Sequence, residues 1–207
     1  MHLPDGIIPI EQSILYWIIS VIVIAIFLYK FSRNVDKEKT IVSIALFSVF
    51  FVVVTSLSIP SPLGVPIHFF LIPLVAILLG PYNGSIVAFF GLLLQSLALN
   101  MGGIVCFGAN FLVIGVIVAF VTYGFYYLLE DINDKMAIFF STVVGIIFAT
   151  FGQVFILILS GAMNFDSLLA TLVPFYLFIG IIEGFANVII IYSIQRIKPE
   201  MMELSKM

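Results

Sequence analysis

Long, unbroken apolar runs dominate the chain, and they show no alternation of polar and apolar positions. Several runs approach or exceed the ~20 residues that a helix needs to cross a bilayer. Backbone polar groups in lipid must be satisfied internally, so continuous runs of this kind predict a bundle of membrane helices. The seven apolar segments are Gln12–Phe31, Thr40–Leu57, His68–Gly80, Gly84–Leu99, Phe107–Leu129, Met136–Ser160 and Ser167–Ile194.

Turn-forming residues separate these segments. Proline and glycine punctuate residues 60–64 and 80–84, a pair of glycines follows Asn100, a charged turn covers 130–135, and a polar turn covers 161–166. The third segment is short for a span, and it contains Pro73. It is either an ordinary helix buried among its neighbours, with a kink at the proline, or a helix that ends at a cavity.

Composition agrees with the pattern. Of 207 residues, 63% are hydrophobic and only 9% are charged, whereas soluble domains carry about 25% charged residues. We therefore expect an all-α protein of the cell membrane with several spans. The single cysteine, Cys106, excludes a disulfide within the chain and a cysteine-rich zinc site.

The positions of the basic residues predict the topology. With seven spans and an extracytoplasmic N-terminus, all eight lysines and arginines fall on the cytoplasmic side, as the positive-inside rule requires. The C-terminus is then cytoplasmic. We expect a single membrane domain over residues 1–207, in which 1–11 form an N-terminal segment, 12–195 the helical bundle, and 196–207 a cytoplasmic tail. The first residues do not resemble a cleaved signal, and we expect Met1 to be retained.

The chain contains two histidines, His2 and His68, and this topology places both on the outer face. The amine of Met1, the amide nitrogen of His2 and the His2 imidazole can close consecutive chelate rings around one ion. The imidazole of His68 would complete a square of four nitrogens, a geometry typical of nickel or copper, with cobalt also plausible. The alternatives are a disordered terminal histidine and a capping or interfacial role for His68.

Several stretches resemble a known family. The opening Met1-His2-Leu3-Pro4-Asp5-Gly6, the segment headed by His68, Gly102-Gly103 with Gly108-Ala109-Asn110, and Glu183-Gly184 are similar to the CbiM/NikM family. These are the substrate-binding (S) subunits of energy-coupling-factor transporters for cobalt and nickel, linked to cobalamin biosynthesis. The resemblance covers nearly the whole chain.

The resemblance implies a seven-helix subunit whose N-terminus enters a central pocket, where Met1, His2 and His68 bind Co²⁺ or Ni²⁺. It also implies a transmembrane coupling (T) subunit, two ATPase (A) subunits and often a small accessory membrane subunit. The sequence departs from the family around His68. Val65, Pro66 and Ile67 precede it, and Phe69 and Phe70 follow it, where smaller residues are common. We expect a bulkier, more apolar pocket mouth.

Other polar residues lie within or beside the apolar segments. Ionisable groups inside membranes are expensive, so Glu183 is a candidate for a partner of the ligands or for the ion path, with helix packing as the alternative. Asn110 is the best candidate for orienting a ligand. Interhelical hydrogen bonding is the simpler interpretation of Gln95 and Gln153.

The sequence lacks a Gly-x-x-x-x-Gly-Lys phosphate loop, so we expect no ATP bound by this chain and no enzyme activity of its own. The sequence leaves two other functions open. An S subunit for an organic vitamin would need a polar and aromatic pocket but no free amino terminus. A membrane enzyme would need acidic residues and histidines facing one another inside the spans.

Overall fold

The computed structural model of the protein describes residues 2–33, 37–57 and 68–197, and these residues form an all-α bundle. Six of its helices are long and apolar enough to cross a membrane. They are α1 (Ile10–Ser32), α2 (Lys37–Ser56), α3 (Ile72–Ala98), α4 (Phe107–Leu129), α5 (Asp134–Leu159) and α6 (Phe165–Ile197).

The predicted count of seven spans differs from these six helices because the third and fourth apolar segments belong to one element, α3. This helix is sharply bent at Gly80, whose φ of 80° and ψ of 165° suit a residue without a Cβ. A Cβ at Gly84 would lie 3.2 Å from the Cα of Ala76. Eight residues of straight helix would separate these positions by about 12 Å. The chain therefore doubles back at Gly80.

The bent helix α3 is the centre of the bundle. It packs against each of the other five helices. Its first leg, from Ile72 to Gly80, is buried throughout, because neighbours surround it on all sides. In contrast, α1 and α2 expose apolar side chains along their length, as lipid-facing helices do. Examples are Ile14, Ile18, Ile22, Leu46 and Val49.

The turns between helices follow from local sequence. Asn133 caps α5 by accepting a hydrogen bond from the Met136 amide at 3.1 Å. At the other end, Gly161 has a φ of 68°, and the amide of Ala162 donates to the Leu157 carbonyl. This is the Schellman arrangement that commonly ends helices at glycine. The charged turn and the polar turn predicted on either side of α5 are confirmed.

The two ends of the bundle differ in charge. One end of the bundle contains the start of α1, the end of α2, and both ends of the bent helix α3. At the other end lies the bend of α3, where Lys30 Nζ donates to the hydroxyl of Tyr82 at 2.5 Å. All lysines and arginines within the described ranges lie at the Tyr82 end. They are Lys30, Arg33, Lys37, Lys39, Lys135 and Arg196.

Candidate metal centre

The residues before α1 form a non-helical N-terminal arm, defined here as residues 2–9, that folds into the end of the bundle. Leu3 is buried, and its backbone is held from both sides by one side chain. Its amide donates to Asn110 Oδ1 at 2.7 Å, and Asn110 Nδ2 donates to its carbonyl at 3.0 Å. The Gly103 amide donates to the same carbonyl at 3.1 Å. Asn110 thus positions the residue that follows His2.

A second set of contacts fixes the middle of the N-terminal arm. Asp5 Oδ1 accepts a hydrogen bond from the Cys106 amide at 3.0 Å, and Cys106 Sγ lies 3.2 Å from the Pro4 carbonyl, to which it donates. Gly103 makes this possible, because a Cβ there would lie 1.7 Å from Asp5 Oδ1. The glycine pair after α3 and the opening residues of the chain therefore fit together as one structure.

The N-terminal arm brings His2 to the same cavity as His68. This cavity is lined by His2, His68, Phe51, Thr55, Phe69, Phe70 and Ile114. The imidazole Nε2 of His2 lies 3.2 Å from Gln95 Oε1, and His68 Nδ1 lies 3.2 Å from the backbone carbonyl of Thr55. The sequence prediction that the two histidines can meet agrees with this arrangement. The aromatic side chains supply the apolar wall expected from Phe69 and Phe70.

The environment of His2 favours the form that binds metals. Burial lowers the pKa of its imidazole to about 3, because a charged ring would lose its hydration inside the protein. At neutral pH the ring is uncharged and keeps a lone pair, which is the state that a metal ligand requires.

Glu183 binds the backbone of the segment that begins at His68. It lies on α6 and is 2% exposed. Its two carboxylate oxygens accept hydrogen bonds from the amides of Phe70 at 2.7 Å and Leu71 at 2.8 Å. Leu71 has a φ of 61°, an uncommon conformation for a residue with a Cβ. We call residues 68–71 the His68 arm. Among the described residues, Glu183 hydrogen-bonds to the backbone of this arm and to neither imidazole.

Met1, predicted to supply an amine ligand, lies outside the described residues, as do Val65, Pro66 and Ile67. Among residues 2–33, 37–57 and 68–197, no three or more His, Cys, Asp or Glu side chains form a group that could hold a metal. Side chains of those types alone therefore do not make a site in this part of the chain. An ion at this cavity would draw further ligands from the backbone or the amino terminus.

Comparison with known proteins identifies the family. A family model for the cobalt uptake substrate-specific transmembrane region, CbiM, matches residues 2–201. The chain belongs to the CbiM family. The resemblance predicted from the sequence motifs is confirmed, and the chain is a multi-pass membrane protein.

Curated relatives carry names that agree with this family. A putative fused nickel transport protein NikMN of Archaeoglobus fulgidus is 29% identical over 209 residues, covering 98% of this chain and 68% of that protein. The cobalt transport protein CbiM of Lachnoclostridium phytofermentans is 29% identical over 94% of this chain and 82% of its own length. The cobalt transport protein CbiM of Clostridium tetani is 31% identical over 152 residues, which cover 73% of this chain and 63% of that protein.

Solved structures share the fold. A crystal structure of a truncated transition metal transporter superposes with a TM-score of 0.85 at 24% identity, covering 95% of this chain and 99% of the other. A second crystal structure, also of a transition metal transporter, superposes with the same TM-score of 0.85. The match covers 95% of this chain and 93% of the chain in that structure. Both solved structures therefore share the fold of this chain.

Neither Gln95 nor Thr55 was assigned a role at the histidine centre from the sequence. Gln95 is fully buried and makes the interhelical hydrogen bonds expected of it, to Thr55 and Ser56 of α2, but it also contacts His2. Thr55 contacts both Gln95 and His68. The sequence signal for Gln95 was that it is an amide side chain near the end of the otherwise apolar segment Gly84–Leu99. For Gln153, whose interhelical bonding was also expected, Oε1 is buried without a hydrogen-bond partner among the residues that the structure describes.

Proposed function

We propose that this CbiM chain is the substrate-binding subunit of an ATP-driven importer of divalent cobalt or nickel. The ion binds at the end of the bundle where the N-terminal arm enters. Its ligands are the Met1 amine, the amide nitrogen and imidazole of His2, and the imidazole of His68. Asn110 and Glu183 hold the segments that carry these ligands.

The observation that supports this most strongly is the shared cavity of His2 and His68. The chain has only these two histidines, and 66 positions separate them. If the two histidines lined one cavity by chance, there would be no reason for both of their segments to be held in place by buried polar side chains. Here, Asn110 fixes the residue after His2, and Glu183 fixes the residues after His68. Nitrogen donors in this number suit nickel and cobalt better than magnesium or calcium.

The proposal includes an orientation in the membrane. The basic residues collect at the end away from the cavity, and the positive-inside rule assigns that end to the cytoplasm. The N-terminus and the cavity are then extracytoplasmic, and the C-terminal tail is cytoplasmic. Because α3 doubles back at Gly80, its first and last residues lie at the same end of the bundle. Its two legs therefore act as the third and fourth of the seven crossings.

Energised uptake requires partners in this scheme. The chain has no phosphate-binding loop, so hydrolysis belongs to two ATPase subunits, joined to this chain by a transmembrane coupling subunit. A small accessory membrane subunit is a further partner. The whole chain, residues 1–207, acts as one substrate-binding domain.

Metal content and isothermal titration of the purified protein test the proposal. Wild-type protein should bind one Ni²⁺ or Co²⁺, and His2→Ala and His68→Ala should each weaken binding. A Gly-Ser extension before Met1 should abolish it, whereas the same extension after Met207 should not. Full binding by the N-terminally extended protein contradicts the amine ligand. Absence of metal binding by the wild type, with binding of an organic vitamin instead, contradicts the metal proposal itself.

Labelling from one side of the membrane tests the orientation separately. In a Cys106→Ser background, a membrane-impermeant maleimide should modify Ala162→Cys on intact cells and modify Asp131→Cys only after lysis. Both positions are exposed and lie in turns at opposite ends of α5. The reverse labelling pattern contradicts the proposed topology.

A further inference from the structure

The end of α2 carries a hydrogen-bond relay that bears on both histidines. Thr55 Oγ1 donates its proton to the Phe51 carbonyl at 2.6 Å. The same oxygen lies 2.7 Å from the Gln95 amide nitrogen. A hydroxyl has one proton to donate, so with that proton directed at Phe51, Oγ1 acts as the acceptor. The amide nitrogen of Gln95 is therefore the group that faces α2, and Ser56 Oγ at 3.3 Å lies on the same side of that nitrogen.

The orientation of Gln95 decides the state of His2. With its nitrogen turned to Thr55, Gln95 presents Oε1 to His2 Nε2 at 3.2 Å. An amide oxygen only accepts hydrogen bonds, so the proton of the neutral His2 ring lies on Nε2. The lone pair is then on Nδ1. This is the ring nitrogen that closes the small chelate ring with the amide nitrogen of the same residue, through Cα, Cβ and Cγ.

Thr55 acts on His68 through a different atom. Its backbone carbonyl lies 3.2 Å from His68 Nδ1, and a carbonyl oxygen can only accept. Nδ1 of His68 therefore carries a proton, and in the neutral ring Nε2 keeps the lone pair. The two histidines thus have opposite tautomers, each imposed by the acceptor that it meets.

We propose that Thr55 and Gln95 are positioning residues that fix the tautomers of both imidazoles, so that His2 presents Nδ1 and His68 presents Nε2 to the ion. Hydrogen bonds from metal-binding histidines to groups behind them orient such rings and set their tautomers in other metal proteins. This inference rests on the proposed function for its purpose. The tautomers themselves are a property of the metal-free protein and can be measured without a metal.

Nitrogen-15 NMR of histidine-labelled, metal-free protein at neutral pH is the direct test. With only two histidines in the chain, His68→Ala assigns the spectrum. In the wild type, His2 should show a protonated Nε2 and an unprotonated Nδ1, and His68 should show the reverse. Free histidine favours the proton on Nε2, which makes the pattern of His68 the more demanding result. A proton on Nδ1 of His2 or on Nε2 of His68 overturns the proposal.

Substitutions separate the relay from general packing. Gln95→Leu should turn His2 into a mixture of tautomers and leave His68 unchanged. Thr55→Val removes the hydroxyl but keeps the backbone carbonyl, so it should also affect His2 alone, and Thr55→Ser should restore the wild-type spectrum. Ser48→Ala is the matched control, since the Ser48 hydroxyl is buried on the same helix and donates to the Ile44 carbonyl within that helix. An unchanged His2 signal in Gln95→Leu or Thr55→Val overturns the relay.

Metal titration then connects the relay to the ion. Gln95→Leu should weaken nickel binding about 10–100-fold, the usual effect of losing a group that orients a ligand. In a His2→Ala background, the same change should have no further effect, because Gln95 acts through His2. If the wild type binds no metal, the proposed function fails and the spectrum still decides the tautomers. If it binds and Gln95→Leu binds equally well, the proposed role of Gln95 in presenting His2 fails while the proposed function stands.

Discussion

The two arms that carry the histidines are held in different ways. The N-terminal arm is held at several points: by Asn110 in both directions, by the Gly103 amide, and by the Cys106 amide, which donates to Asp5. For the His68 arm, the described residues give two hydrogen bonds from its backbone amides, both to the carboxyl group of Glu183, and one from the His68 ring to the Thr55 carbonyl. Many separate contacts tolerate the loss of any one. An arm whose backbone amides share one anchor does not, so the two arms should respond very differently to substitution.

The largest effect is expected at Glu183. In Glu183→Gln, the side-chain oxygen still accepts one of the two backbone hydrogen bonds. The side-chain NH2 group replaces the other oxygen and cannot accept, so one of the Phe70 and Leu71 amides is left buried without a partner. A buried donor left without a partner costs about 1–3 kcal/mol, so we expect the protein to lose up to about 3 kcal/mol of stability. Reversible unfolding in mixed detergent measures this loss, and hydrogen exchange should quicken at the Phe70 and Leu71 amides.

Asn187→Leu provides a matched control for Glu183. Asn187 lies one turn further along α6, is equally buried, and bonds to Thr142 Oγ1 at 3.1 Å without contacting the His68 arm. Its loss should cost about 1 kcal/mol and leave the exchange of Phe70 and Leu71 unchanged. Equal losses in the two variants would mean that Glu183 contributes only to helix packing.

The second largest effect is expected at Gly103. In Gly103→Ala, the new methyl group would overlap Asp5 Oδ1 and approach the Asp5 amide within 2.5 Å. Backbone cannot yield as a flexible side chain does, so the N-terminal arm must move, and overpacking of this kind costs about 1–3 kcal/mol. Nickel affinity should fall together with stability. Gly124→Ala, where a Cβ inside a helix meets open space, should lower neither stability nor nickel affinity, and a similar loss there would remove the steric explanation.

A smaller effect is expected at Asn110. Asn110→Ala removes both hydrogen bonds to Leu3, each worth about 1 kcal/mol, while Gly103 still donates to the Leu3 carbonyl. The variant should therefore fold, lose about 2 kcal/mol, and bind nickel more weakly than the wild type but better than His2→Ala does. Nickel titration of Asn110→Ala and His2→Ala beside the wild type measures this order of affinities. Complete loss of binding in Asn110→Ala would show that the N-terminal arm also depends on a single anchor.

The sequence predicted the helices well because apolar runs and turn residues are local signals. The breaks at Gly80, Glu130 and Gly161 all lie where a turn or bend is found. The histidine pair was also predictable, since topology alone puts both at one end. The bend that joins two segments into α3 was not, because Gly80 also reads as an ordinary loop between spans.

The supporting contacts of the site were beyond local prediction for a physical reason. Glu183 meets residues more than 100 positions earlier, and Gln95 is joined to His2 across 93 positions. A buried polar residue signals that some partner exists, because an unpaired polar group in an apolar interior is costly. Which partner it meets depends on how the helices pack. The positions of Glu183 and Asn110 in or beside apolar segments therefore identified them as candidates, but their contacts to the backbone came only from the structure.

The smallest effect is expected at Cys106, and it tests whether the anchors of the N-terminal arm are truly distributed. Its thiol donates to the Pro4 carbonyl, a weak bond because sulfur is a poor donor. Its amide, which contacts Asp5, is backbone and survives any substitution. Cys106→Ala should therefore cost less than about 1 kcal/mol and leave nickel affinity within twofold of the wild type by titration. If this change releases the N-terminal arm as fully as Gly103→Ala does, then the thiol dominates, and the contrast between a distributed and a single anchor is wrong.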